Sequence, residues 1–372
     1  VKGGADLLWI NESILIIMCL FMVAGALDYY VLNQRLSLGK HFYDAFMMMG
    51  PLALSMVGII SLAPVLSEVA APVIGPVFKG MGADPSMFAS MILAIDMGAY
   101  SLAEALALTD EAAVFSWAFL GTMMGPTLVF TIPVALTVIQ KEDRPYFAKG
   151  ILIGIVTIPI GCLAGGAIAG YEWLWMLQNL LPALLLSVLI GLGLWLFTNG
   201  AIRVFAWFGK GVEILIITGL AAITIETLTE FTLISGMAPL SEGVSIVGRI
   251  TVTLAGAYPL IAFLNQKGEK VWNRLSRKIG LNASAMTGLL ASLAHHLPML
   301  AMMKHMDSRG KIVNSAFAVS GAFVLGSHFA FVAGIEKDMI VPVIVGKLIA
   351  GGLAVGIALL LTRRNEQMAL TK

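Results

Sequence analysis

Charge is what this chain most lacks. Only 12% of its 372 residues are Asp, Glu, Lys or Arg, while 59% are hydrophobic and the mean hydropathy is +0.91. A soluble domain carries about a quarter charged residues, so most of this surface is built to face lipid or other apolar helices. The few charges nearly cancel, at +1. Without a basic excess there is no electrostatic footprint for nucleic acid, and none is expected as a partner. Cysteine is scarcer still. Cys19 and Cys162 both lie in apolar runs and read as small core residues, which excludes a disulfide framework and a zinc site. No metal and no cofactor is expected. The first apolar run, after Lys2, Asp6 and Glu12, lacks a small-residue cleavage site and reads as a retained span.

Long apolar runs are abundant. Stretches near 10–32, 45–67, 112–139, 145–170, 173–198, 211–234, 244–264, 310–334 and 338–362 are each long enough for a spanning helix. Two further runs, 82–108 and 281–303, are interrupted. The first holds Asp96 with Gly98 two residues on, and the second holds His295-His296 before Pro298. A carboxylate inside lipid costs ~2.5–3.5 kcal/mol on insertion scales, so Asp96 needs a partner, water or a ligand. Interrupted apolar segments at matching places in two halves are the sequence pointer to a transporter's binding site.

Reading both interrupted runs as re-entrant hairpins puts eighteen Lys and Arg on one face and three (Lys2, Lys79, Lys337) on the other. The richer face is then cytoplasmic, with the C-terminus. A weak internal repeat favours this reading over eleven straight spans. Gly82-Ala83-Asp84-Pro85-Ser86 resembles Gly280-Leu281-Asn282-Ala283-Ser284, and Ser116-Trp117-Ala118-Phe119 resembles Asn314-Ser315-Ala316-Phe317, both at a spacing of 198. Gly125-Pro126-Thr127 lies opposite Gly326-Ser327-His328 with a three-residue offset. The expectation is an all-α polytopic membrane protein of about nine spans plus two re-entrant hairpins. It forms one integral membrane domain over 1–372, with repeat one near 43–170, a linker near 171–210, and an inverted repeat two near 211–362. Asn265 to Gly280 reads as a basic connector, and Gly200 to Lys210 as a short interfacial helix.

Asp96 reads as counter-ion to a cationic substrate or coupling ion. His295 and His296 are adjacent and so point ~100° apart on a helix, which argues against shared metal ligation; at a hairpin tip they would hydrogen-bond a hydroxyl or relay a proton. Thr127, Ser327 and His328 sit beside residues that free helix backbone, where carbonyls can line a cavity. Tyr100 and Phe130 offer ring faces to an ammonium group. Lys347, deep in the last span, reads as an internal cation pairing with a carboxylate such as Asp96. No residue is assigned a catalytic role. Non-saturating amine channel and intramembrane metal-dependent enzyme stand as alternatives to a transporter.

Several stretches carry a family resemblance: Ile95-Asp96-Met97-Gly98, Gly121 to Thr127, Ile155 to Cys162, Gly256-Ala257-Tyr258-Pro259, Met303 to Lys311 and Val345 to Ile349. From about Ile10 to Leu361 the chain resembles the bacterial ethanolamine-utilisation transporter family, EutH. The resemblance implies a multi-pass protein of the bacterial inner membrane, not an enzyme, that admits ethanolamine or a close small amino-alcohol by alternating access. With that substrate, Asp96 is expected against the ammonium, with Thr127, Ser327, His295 and His296 at the hydroxyl or along the path. At His295-His296 and Ser327 the chain departs from the family pattern, which has Asn-Asn and Asp there. Analogy with other hairpin transporters adds a homodimer as an expectation.

Overall fold

The computed structural model describes the backbone of residues 3–370 and the side chains of 9–194, 196–197, 200–201, 203–264, 266–267 and 280–362. Lys2 and Lys372, with the side chains of Lys270, Arg274, Arg277, Lys278, Arg363 and Arg364, enter the charge count above but lie outside the described residues. Among the described residues the regular structure is all helical.

The chain opens with α1 (Gly3–Tyr30), α2 (Gly39–Met47) and α3 (Met49–Gly80). Asp28 closes the first turn, its carboxylate accepting the N–H groups of Leu36, Leu38 and Gly39 at 2.8 Å each. A helix–break–helix unit follows, α4 (Ser86–Ile92) and α5 (Ala99–Leu106), then α6 (Asp110–Val138), α7 (Arg144–Ala169), α8 (Trp173–Leu196), α9 (Thr198–Thr229) and α10 (Leu240–Ile279). A second such unit, α11 (Ala283–Ala294) and α12 (Leu297–Met302), leads to α13 (Ser308–Ser320), α14 (Ser327–Ile335) and α15 (Ile340–Leu370). Eight described stretches are long and apolar enough to cross a membrane, lying in α1, α2–α3, α6, α7, α8, α9, α10 and α15.

Both interrupted runs turn back on themselves. Asp84, before α4, accepts through its carboxylate from Leu108 N–H, beyond α5, at 3.0 Å. Asn282, before α11, donates from its side chain to the His305 carbonyl, beyond α12, at 3.0 Å. Each unit therefore begins and ends at the same place, as a hairpin must. The arms are short: α4 has 7 residues and α11 has 12, about 10 and 18 Å of helix. Five helices of crossing length, α6 to α10, lie between the hairpins, so the two open toward opposite ends of the bundle.

Residues 198 apart do the same jobs. Gly82 and Gly280 both take positive φ (74° and 66°), turning the chain into each hairpin. Thr109 and Asp307 both cap the helix that follows, accepting from Ala112 and Gly310 N–H. Ser116 donates to the Ser86 carbonyl, and Asn314 to the Ala285 carbonyl, each fastening a hairpin arm to its neighbour.

The run at 310–334, expected as one straight span, is instead broken. After α13 the helix unwinds over 321–326, and Phe323 and Leu325 donate N–H to the Ser292 and Leu293 carbonyls at the end of α11, both at 2.9 Å. Those carbonyls are free because α11 stops there. The expected connector at 265–280 is helical through Ile279, continuing α10. Gly200 to Lys210 is likewise no separate helix but the first part of α9.

Candidate functional site

The hairpin tips meet α6 and the broken run from α13 to α14 around one cavity of about 830 Å³. In the first hairpin α4 ends at Leu93, the backbone runs extended through Ala94, and Gly98 turns it into α5 with φ of 101°. No side chain is tolerated at Gly98, because a Cβ would sit 2.3 Å from Ile59 on α3. The tip so formed carries Asp96 to the cavity wall. In the second hairpin α11 ends at His295, which is extended (φ −159°), and Pro298 occupies the first turn of α12.

Each tip is gripped by a glycine on the helix that crosses it. A Cβ on Gly125 would lie 1.7 Å from the Leu93 carbonyl oxygen, and one on Gly326 would lie 1.9 Å from the Ala294 carbonyl oxygen. These contacts set the depth of both tips. They also place Phe130 of α6 and Ser327 and His328 of α14 on the cavity wall.

Ser327 Oγ donates to Asp96 Oδ2 at 3.4 Å, the one side-chain hydrogen bond to Asp96 among the described residues. The carboxylate therefore keeps acceptor capacity toward the cavity. Rings close in beside it. Phe323, in the unwound segment with φ of 60°, lies 4.6 Å from His328, 4.8 Å from His295 and 4.9 Å from His296 between ring centroids. Phe130 stands edge-on to His296 at 5.4 Å. His295 Nδ1 accepts from Leu297 N–H at 3.1 Å, capping the start of α12. His296 is fully buried with both ring nitrogens unpartnered.

Lys347 is buried behind His328. Its Nζ donates to the Thr122 carbonyl at 2.6 Å and lies 3.5 Å from His328 Nδ1. The reason is local: the Thr122 carbonyl would take an N–H from residue 126, but Pro126 has none. The orphaned acceptor is filled by the ammonium. Close crossing of α7 and α15, where a Cβ on Gly346 would lie 2.7 Å from the Gly161 oxygen, puts Lys347 at this depth.

Asp96, Phe130, His295, Ser327 and His328 thus share one cavity. Others singled out in the sequence do not reach it. The expected Lys347–Asp96 pair is absent; among the described residues the ion pairs are Lys210–Glu213 and Lys311–Asp143. Tyr100 packs edge-on against Trp117 and Phe331, each at 5.5 Å, because the turn at Gly98 resets the helical face after Asp96. Thr127 is buried, its hydroxyl spent on the Met123 carbonyl at 2.8 Å. His296 sits among the rings rather than on the cavity wall. Sequence reasoning missed Phe323; the glycines flanking it, Gly321 and Gly326, were the available signal. Among the described residues no group of His, Cys, Asp and Glu could hold a metal.

Fold and site together define a multi-pass helical membrane protein whose hairpin tips meet at a cavity that bears the Asp96 carboxylate. Comparison narrows this class. The description "Ethanolamine utilisation protein, EutH" matches residues 10–361, and the chain belongs to that family. It is 52% identical over 349 residues, 94% of each chain, to the Bacillus subtilis protein YxeR, which carries no assigned function in its name. It is 49% identical over 355 residues, 95% of each chain, to a Listeria monocytogenes protein named probable ethanolamine permease EutH. A Salmonella typhimurium protein of the same name is 43% identical over 395 residues, covering 96% of this chain and 97% of its own. No solved structure matches the chain.

Proposed function

We propose that this protein carries ethanolamine, or a close small amino-alcohol, across the bacterial cytoplasmic membrane by alternating access, with its C-terminus in the cytoplasm. The observation that carries the reading is Asp96. Its carboxylate lies at a hairpin tip, has no ion pair and one side-chain hydrogen bond, from Ser327, among the described residues, and faces a cavity with aromatic walls. An ammonium group supplies the missing charge, and the Phe130 and Phe323 ring faces add cation–π attraction. Ser327, His295 and His328 offer partners to the hydroxyl. The two inverted units, near 43–170 and 211–362 with 171–210 between them, would rock about this site so that it opens to each side in turn. The names of the Listeria and Salmonella relatives support ethanolamine as the substrate.

Uptake of labelled ethanolamine into proteoliposomes tests this. The wild type should show saturable uptake. Asp96→Asn should cut it at least tenfold at normal expression and fold, since losing one partner of a buried charge pair costs about 2–5 kcal/mol. Unchanged uptake would remove Asp96 from its role, and flux linear in substrate would favour a pore.

A further inference from the structure

The cavity is far larger than ethanolamine needs, and its excess lies in one direction. Between α3 and α9 the helices touch tightly at Gly58 and Gly219. A Cβ on Gly58 would lie 2.0 Å from the Ile216 carbonyl oxygen, and one on Gly219 would lie 2.4 Å from the Gly58 carbonyl oxygen. Leu54, one turn before Gly58 on α3, and Ile217, beside Ile216 on α9, line the cavity next to that crossing. Both are exposed, at 65% and 62%. Cavity-lining side chains this exposed mark where the cavity opens. Its outer rim holds the exposed Glu213, paired with Lys210 at 2.9 Å. Counting about 20 residues of span back from Thr229 puts this ion pair at the membrane boundary. The opening is polar at its rim and apolar along its walls, is bounded by the glycine contacts, and ends inside at Asp96, Ser327 and His328.

We propose that this opening is a lateral portal, and that the protein binds N-alkyl amino-alcohols with the head at Asp96 and the hydrocarbon tail running out between α3 and α9 into the bilayer. The assignment rests on the reading of Asp96 as the ammonium partner. It fits one class of ligand because the site joins the Asp96 carboxylate at its inner end to an apolar channel that leads to lipid. An enclosed site shaped for ethanolamine alone would have no room for the tail.

The test is binding of N-hexylethanolamine and of ethanolamine to the full chain in lipid nanodiscs, with the signal of empty nanodiscs subtracted. Leu54→Trp and Ile217→Trp, at exposed positions where a larger side chain leaves the core undisturbed, plug the opening separately. N-hexylethanolamine should bind at least as tightly as ethanolamine. Each plug should weaken it at least tenfold while changing ethanolamine binding less than twofold. Ethanolamine binding without N-hexylethanolamine binding would overturn the portal and leave the proposed substrate standing. Hexyl binding that neither plug alters is membrane partition and would also overturn it. If the folded protein binds neither ligand, portal and substrate reading fall together.

Discussion

The two helices that grip the hairpin tips occupy equivalent places and solve one problem differently. Each presents a glycine to the carbonyl at the end of a hairpin arm, Gly125 to Leu93 and Gly326 to Ala294. Through this point α6 stays helical, widening into π-type turns at Ser116–Leu120 and Thr127–Thr131 around Pro126. Its counterpart unwinds completely over 321–326 before restarting as α14. The three-residue offset between Gly125 and Gly326, against 198 elsewhere, falls in this stretch. Extra chain in the second unit has become the segment that carries Phe323 into the site. Both routes free backbone groups, and the protein uses them: the Thr122 carbonyl of α6 takes Lys347, and the Phe323 and Leu325 N–H groups of the unwound segment go to the Ser292 and Leu293 carbonyls at the end of α11.

The sharpest way to break this comparison is to crowd the two grips. Gly125→Ala and Gly326→Ala each drive a methyl into a carbonyl, and both should lose at least the ~1–3 kcal/mol typical of overpacking. Gly125→Ala should be the worse, because continuous α6 cannot shift locally while the segment at 321–326 can. Folded yield and melting temperature in detergent measure this; equal losses would mean that the unwound segment is as rigid as a helix. Phe323 sharpens the second unit alone. Its left-handed backbone costs about 1–2 kcal/mol for a non-glycine residue. Phe323→Gly should therefore be the more stable of two ring-less variants by about 1 kcal/mol over Phe323→Ala, while both lose ethanolamine binding. The smallest contrast is between the fastenings. Asn314 donates to the Ala285 and Gly310 carbonyls, so Asn314→Ala should cost about 2 kcal/mol. Ser116→Ala, with a hydroxyl between Ser86 and Ser90, should cost about 1 kcal/mol in the same melting assay.

The hairpins were legible because burying Asp96 or His295-His296 in an unbroken apolar helix has a visible cost. The repeat was legible where it rests on turn and cap chemistry, at Gly82 and Gly280 or Asp84 and Asn282. The break after α13 was not, since Ala322-Phe323-Val324-Leu325 is apolar and nothing in those side chains signals unwinding. Lys347 shows the same limit from another side. Its need for an anion or carbonyls was readable, but its partner was not, because Thr122 lies 225 residues away. Only Pro126 hinted that this carbonyl would be free. Tyr100 was singled out for its ring alone, which does not show that it packs against Trp117 and Phe331, and the polar run after Asn265 resembled a connector because its charges hid a continuing helix.

The brevity of the hairpin arms also governs how the protein is made. Neither arm, at 7 or 8 residues in the first hairpin, is long enough to enter a bilayer as a span of its own. The first hairpin leaves the ribosome before α6, whose Gly125 must grip it. At 5–20 residues per second, the 29 residues of α6 take about 1.5–6 s to follow. During that interval Asp96 has no Ser327, since residue 327 is synthesised much later. The first tip must wait outside the hydrocarbon until its cradle arrives, so the order of synthesis makes the Asp96 carboxylate one of the last parts of the molecule to reach its place.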